Sequence, residues 1–349
     1  MTVRVLVTGA GGAAGTAVLR ALVDHDVELV AVDCDPHAAG LYLTDEAPAL
    51  VPRGDDPGFV AAVAELVRDR RIDVVIPTVD EELIVLARAV PAFAADGALV
   101  MVPSADSLAR TLDKHRLVTA AAATVPCPRT ELLDAALELA GWELPLIVKP
   151  RSGRGGVGVA LIEDAGALAA YPHDGTWIVQ ELLPGEEYSV DTLVAGTGEI
   201  VAAVPRLRLK VDSGVAVTAR TVHDDELERL AGAAVRATGL RGPANVQLRR
   251  DRAGRPRLLE INPRFPGTLA ITIAAGVDLP WLALLDLLGR PLPPDAGRFA
   301  DVALVRYLDD RAVDRALMTR LEHDAAAREP PDRPDAQRHV SRQQQDTAT

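Results

Sequence analysis

The sharpest chemistry in the sequence lies in the run Leu258-Leu259-Glu260-Ile261-Asn262-Pro263-Arg264. Successive side chains of an extended strand alternate between faces, so Glu260, Asn262 and Arg264 share one. Two oxygen donors, Glu260 and Asn262, suit a hard cation such as Mg2+, which also takes oxygens from a bound phosphate. Arg264 beside them suits the oxygens of a transferring phosphoryl group. A hairpin turned at Arg252-Ala253-Gly254 brings Asn245 and Gln247 of the preceding strand to the same place. A polar, solvent-facing strand would explain the charges, but not an Asn-Pro-Arg exit from an otherwise apolar run.

A second cluster joins a cation to glycines. Leu146-Ile147-Val148-Lys149-Pro150 reads as an apolar strand ending in lysine, followed by Arg151-Ser152-Gly153-Arg154-Gly155-Gly156-Val157-Gly158. Glycines let backbone amides face an anion without Cβ obstruction; Ser152 adds a hydroxyl, and Lys149, Arg151 and Arg154 add positive charge. No Gly-Lys-Ser/Thr closes the run and no helix clearly follows, so a strand–loop–strand flap over phosphates fits better than a Walker A loop. The alternative is a plain glycine hairpin.

Three further sets are less decisive. Arg206, Arg208 and Lys210 place three cations on one strand face, either to bind anionic substrate and phosphate or to guard a sheet edge. Asp80, Glu81 and Glu82 follow a strand at residues 74–78, where Asp80 or Glu81 could recognise an amino group; an acidic helix N-terminus favoured by the helix dipole is the plainer account. Residues 8–15, TGAGGAAG, nearly satisfy a dinucleotide fingerprint, with Asp33 ending the next strand. A close strand-to-helix turn needs glycine equally, and the phosphate and metal chemistry downstream favours that simpler reading over NAD.

These residues need elements to hold them. Apolar runs at 3–7, 29–33, 74–77 and 99–102 alternate with helical stretches at 16–24, 57–69 and 81–89, the rhythm of a doubly wound parallel sheet in an α/β unit. From residue 104 the rhythm changes: a helix at 104–123, then strands at 144–149, 157–162, 177–182, 188–195, 200–211 and 215–222. A helix at 225–238, a hairpin of 244–250 with 257–262, a helix at 278–288 and a strand at 299–308 follow. Hairpin-linked strands with helices against them make the second part α+β. The expected division is a Rossmann-like domain at 1–103 and a second domain at 104–310, with a flap lobe at about 124–184 and a metal-bearing lobe at about 185–310. Residues 322–349, rich in Arg, Pro, Asp and Gln, are expected to be a disordered tail.

Composition limits the partners. A net charge of −13 argues against nucleic acid, whose phosphates demand an excess of Lys and Arg. Cys34 and Cys127 stand apart without a metal motif, which fits a reducing compartment. No apolar run reaches the roughly 20 residues of a membrane helix. A cytoplasmic protein without membrane contact is expected, and a homodimer is compatible with the sequence.

Together these pieces resemble the ATP-grasp superfamily, most closely its carbamoyl-phosphate-synthetase-like branch. The resemblance spans roughly residues 1–310 and rests on four runs in family order: Asp113-Lys114; Val148-Lys149-Pro150 with its glycines; the stretch from Val179-Gln180-Glu181-Leu182-Leu183 to Glu186-Glu187-Tyr188; and Glu260-Ile261-Asn262-Pro263-Arg264. It implies a two-lobed α+β ATP-grasp domain behind the parallel sheet. ATP would lie with Lys114, Lys149, Ser152, Gly153, Gly155 and Gly156 on its phosphates. Glu181 and Leu183 would meet the adenine edge, and Glu187 the ribose, with Glu186 as its competitor. Gln247, Glu260 and Asn262 would carry Mg2+. Gln247 stands where many members have an acid, a replacement that the carbamoyl-phosphate branch accepts. Arg264 and Lys210 would be catalytic; Asp80, Glu81, Arg206 and Arg208 would bind substrate. The implied activity is a carboxylate–amine ligase, with a small carboxylate and an amine as substrates and an acyl phosphate between them. An ATP-grasp enzyme that stops at phosphorylation or carboxylation is the second option, and a nucleotide sensor without turnover the third.

Overall fold

The computed structural model describes residues 2–153, 156–212 and 214–328. The chain opens with β1 (Val3–Val7), α1 (Ala13–Leu22), β2 (Val27–Asp33), β3 (Ala49–Leu50), α2 (Phe59–Arg70), β4 (Val74–Ile76), α3 (Asp80–Ala95) and β5 (Leu99–Val100). These strands are all parallel, in the order β3-β2-β1-β4-β5. Apolar side chains on both sides of the strands explain the continuous hydrophobic runs: one face packs under α2 and α3, the other against α1. The order reverses between β1 and β4, so the turns after these strands flank the crevice where open sheets hold ligands.

The glycine turn after β1 is spent on packing. A Cβ at Gly15 would lie 2.2 Å from the Gly9 carbonyl oxygen. The Asp33 carboxylate, which a ribose would need, accepts the Gly11 amide at 2.8 Å.

Next come α4 (Ala105–Thr111) and α5 (Lys114–Ala121). Their separation corrects the expectation of one helix over 104–123. Asp113 has extended backbone and its carboxylate accepts the amides of His115 and Arg116, a cap that starts a new helix. The period of apolar residues runs through this break, which hid it.

A four-stranded antiparallel sheet follows, from β6 (Thr130–Asp134), β7 (Leu146–Pro150), β8 (Ala160–Ile162) and β9 (Asp174–Glu181), in the order β6-β9-β7-β8. The second antiparallel sheet contains β10 (Glu187–Val194), β11 (Ile200–Asp212), β12 (Val215–Thr221), then α6 (Asp225–Thr238), β13 (Gly242–Arg250) and β14 (Pro256–Asn262). After α7 (Leu269–Ala274) and α8 (Leu279–Leu287), β15 (Ala303–Val305) adds an edge, giving the order β14-β13-β10-β11-β12-β15. The strand expected over 299–308 is thus only three residues long. α6 begins at the Asp224 cap and ends at Gly239, which takes a left-handed φ of 70°. Its buried face of Leu227, Leu230, Ala231, Ala234 and Val235 covers one side of the sheet. The other side shares a core with β1, β2 and α1 through Leu193, Ala202, Val204, Phe265 and Leu269. The parallel sheet and the six-stranded sheet are therefore joined by one apolar layer.

The last described element is α9 (Arg315–Arg328), so residues 322–328 of the expected tail are helical. Leu321 is buried in the core around β1, and Arg328 donates to the Leu50 carbonyl at 2.6 Å. Residues 329–349 lie outside the described residues. No helix among the described residues is long and apolar enough to cross a membrane.

Candidate active site

The two antiparallel sheets face each other across a cavity of about 740 Å3. From the four-stranded side it is lined by Lys149, Gly153, Gly156, Gln180, Glu181 and Leu183; from the six-stranded side by Glu187, Arg208, Gln247, Glu260, Asn262 and Arg264. Lys114 reaches it from α5. The lysine-tipped strand and the arginine-ended strand thus meet in one place.

Lys149, next to last in β7, has only 7% of its surface exposed. Its Nζ donates to Gln180 Oε1 on the neighbouring β9 at 2.9 Å, and the Gln180 amide donates onward to Thr130 at 2.8 Å. Burial drives its pKa down to about 8, against the attraction of Glu260. Lys114 is the first residue of α5, directly after the Asp113 cap, and its Nζ donates to the Gly153 carbonyl at 3.0 Å. Burial lowers its pKa too, partly offset by Glu260, Asp113 and Asp80. The same Asp113 carboxylate accepts from Arg151 at 2.8 Å, which ties the start of α5 to the start of the glycine loop. The loop joins β7 to β8 as an antiparallel hairpin, the strand–loop–strand arrangement expected. Gly153 and Gly156 take φ of 141° and 74°, which side chains rarely adopt. Ser152 is exposed and is not among the residues that line the cavity. Arg154 and Gly155 lie outside the described residues.

On the opposite wall, β13 and β14 pair with Gln247 opposite Glu260 and Asn245 opposite Asn262. Asn262 Nδ2 donates to Glu260 Oε1 at 3.2 Å, which leaves the Asn262 carbonyl oxygen for another partner. Asn245 Nδ2 likewise donates to Asp191 Oδ1 at 2.8 Å. One carboxylate and two amide carbonyls, from Glu260, Asn262 and Gln247, form a set of hard oxygen donors that fits Mg2+ bound jointly with phosphate oxygens. Among the described residues there is no cluster of three or more His, Cys, Asp or Glu side chains that would hold a metal unaided.

Glu187 lines the cavity, whereas Glu186 accepts a hydrogen bond from the Tyr188 hydroxyl at 2.7 Å and is absent from the lining. Arg208 hydrogen-bonds to one Glu187 oxygen, and Arg249 lies 3.8 Å from the other. Ile147, Leu182, Leu183 and Leu259 add apolar surface suited to a purine ring. Glu181 is tied by its backbone to Arg129 at 2.9 Å.

Several sequence-based assignments change. Arg206 is 0% exposed and paired with Asp191 at 2.5 Å and Thr268 at 2.6 Å, so it is a buried structural ion pair and not a substrate contact. The register shifts between Arg208 and Lys210, so the three cations do not line one face; Lys210 is exposed and outside the cavity lining. Asp80 does not line the cavity: it forms a bidentate pair with Arg264 at 2.7 and 2.8 Å. Glu81 lies instead along a separate small pocket of about 130 Å3 with Gly9, Gly12, Asp33 and Arg53. Sequence reasoning passed over Gln180 and Arg249. The period-two spacing of Asn245, Gln247 and Arg249 could have found the arginine.

Comparisons with known proteins agree with this geometry. Residues 173–310 match the family described as "ATP-grasp in the biosynthetic pathway with Ter operon", and residues 5–101 match "PylC-like, N-terminal domain". A D-alanine--D-alanine ligase of Chromohalobacter salexigens is 33% identical over 165 residues, 40% of this chain and 50% of the relative. Carnosine synthase 1 of Homo sapiens is 28% identical over 347 residues, 84% of this chain and 41% of the relative. This chain therefore spans half or less of those curated relatives. The biotin carboxylase of Campylobacter jejuni superposes with a TM-score of 0.70 at 17% identity, covering 84% of this chain and 73% of that one, which shows the shared fold.

Proposed function

We propose that this chain, which carries an ATP-grasp domain behind a PylC-like N-terminal domain, is an ATP-dependent ligase that joins a small carboxylate, such as an amino acid, to an amine. One observation carries the reading: two buried lysines beside a glycine hairpin face an oxygen-rich strand and an arginine across a single cavity.

In this scheme the adenine lies among Ile147, Leu182, Leu183 and Leu259, and Glu187 accepts from the ribose hydroxyls. Lys114 and Lys149 hold the phosphates, which restore to Lys149 the charge partner that burial denies it. Gln247, Glu260 and Asn262 would hold Mg2+, which when bound neutralises phosphate charge. A substrate carboxylate oxygen attacks the γ-phosphorus, ADP leaves, and an acyl phosphate forms. The amine nitrogen then attacks the acyl carbon, phosphate departs, and the amine loses a proton to solvent. Arg264 neutralises charge on the phosphoryl group in transit. The glycine hairpin excludes water, which would otherwise hydrolyse the acyl phosphate.

The test is incubation of the purified protein with ATP, Mg2+ and a panel of amino acids, in pairs and singly, with ADP measured enzymatically and products by mass spectrometry. Substrate-dependent ADP release together with an amide of the summed mass, less water, supports the reading. ADP release that yields only a phosphorylated or carboxylated species replaces the ligase by the second ATP-grasp option. ATP binding without any turnover leaves a sensor.

A further inference from the structure

We infer that Asp80, on the first helix turn after β4, is a positioning residue that holds Arg264 in its working orientation, so that the parallel-sheet domain sets the geometry of the phosphoryl clamp in the other domain. The inference rests on the ATP-grasp reading of the cavity above.

The two residues are far apart in sequence and belong to different sheets, yet their side chains pair twice: Arg264 Nε to Asp80 Oδ1 at 2.7 Å and Nη2 to Oδ2 at 2.8 Å. A third bond runs from Arg264 Nη1 to the Phe265 carbonyl at 3.1 Å. Three of the five guanidinium donors are thus committed, which leaves one N–H on each Nη. Arg264 itself lines the cavity, while Asp80 does not. A planar guanidinium bound along one edge by a carboxylate cannot swing, and its remaining donors keep a fixed direction.

Asp80 is well suited to this task. It is the first residue of α3, where the positive end of the helix favours a carboxylate. Only three residues separate it from β4, so its backbone is anchored in the sheet. Both side chains are less than one-fifth exposed, so solvent competes weakly for either. Each Asp80 oxygen accepts one hydrogen bond from Arg264, so the carboxylate and the guanidinium lock together as a fork. Clamping an oxyanion with pre-oriented donors lowers the barrier more than clamping it with a mobile chain.

The experiment compares wild type, Asp80→Asn, Asp80→Glu, Arg264→Gln and the double variant D80N/R264Q by calorimetry. The probes are MgADP alone and MgADP with aluminium fluoride, a planar mimic of the phosphoryl group in transfer. Asp80→Asn is expected to bind MgADP as wild type does. It should lose about tenfold of the tightening that fluoride gives, as Arg264→Gln does, since each removes a charge-assisted contact. The double variant should lose no more than Arg264→Gln alone, because Asp80 acts only through the arginine. Asp80→Glu should recover part of the tightening. Wild-type tightening in Asp80→Asn, or losses that multiply in the double variant, overturns the inference while leaving the nucleotide site intact. A wild type that fails to bind MgADP overturns the ATP reading and the inference together.

Discussion

Replacing Lys149 with Met should make the pH dependence of stability reveal what burial of this lysine costs. Burial brings the Lys149 pKa from 10.5 down to about 8. That difference corresponds to about 3 kcal/mol between the charged and neutral side chain. The sign follows from proton counting: between pH 8 and 10.5 the unfolded chain holds a proton on this lysine that the folded chain has released. Stability contributed here therefore rises with pH across that window, and the full penalty applies below it. Lys149→Met has no such titration, although the Gln180 oxygen loses its donor at about 1–3 kcal/mol. That second cost is present at every pH, so it cancels when the stability difference between variant and wild type is compared across pH. Urea unfolding of both proteins at pH 7 and above pH 10.5 should show the variant losing about 3 kcal/mol relative to wild type on going up. Parallel curves, with the difference constant to within about 1 kcal/mol, would refute the assignment of a strained lysine. MgATP titrations in buffers of different ionisation enthalpy should also show proton uptake by wild type, but not the variant, near pH 8, where this lysine is about half neutral.

Three other perturbations probe the frame around the site. Asp113→Ala removes both the cap of α5 and the partner of Arg151, and should cost about 1 kcal/mol of stability while weakening MgATP binding; unchanged affinity by calorimetry would show that Lys114 keeps its place without the cap. Burial raises the Glu82 pKa from 4.5 to about 7, even though its carboxylate accepts from Thr8 at 2.5 Å. The folded chain then keeps a proton that the unfolded chain has lost, so stability falls as pH rises through this range. Glu82→Gln should flatten that fall by about 3 kcal/mol in denaturant titrations from pH 4.5 to above 7. Arg206→Met strands the Asp191 carboxylate at 0% exposure and should destabilise by about 3–5 kcal/mol, with most of that loss recovered when Asp191→Asn is added; a loss below about 1 kcal/mol by the same assay would deny the buried pair its structural role.

What the sequence determined by itself is local in origin. Parallel strands show as unbroken apolar runs because both faces are covered, and β13 with β14 shows as two runs about a glycine turn. Alternation along β14 is enough to put Glu260 and Asn262 on one face, and the lysine before the glycines is legible because both features sit within a few residues. Only the tertiary structure decided which charges are available. Arg206, Arg208 and Lys210 look alike in sequence, yet one is sealed against Asp191, one is paired with Glu187, and a bulge sends the third to solvent. Asp80 reads as a substrate contact and Arg264 as a phosphoryl clamp until folding pairs them, one from the helix after β4 and the other from just past the end of β14. The physical reason is that a charge is defined by its partner and its exposure, and both are set by chain segments too distant for any local pattern to report.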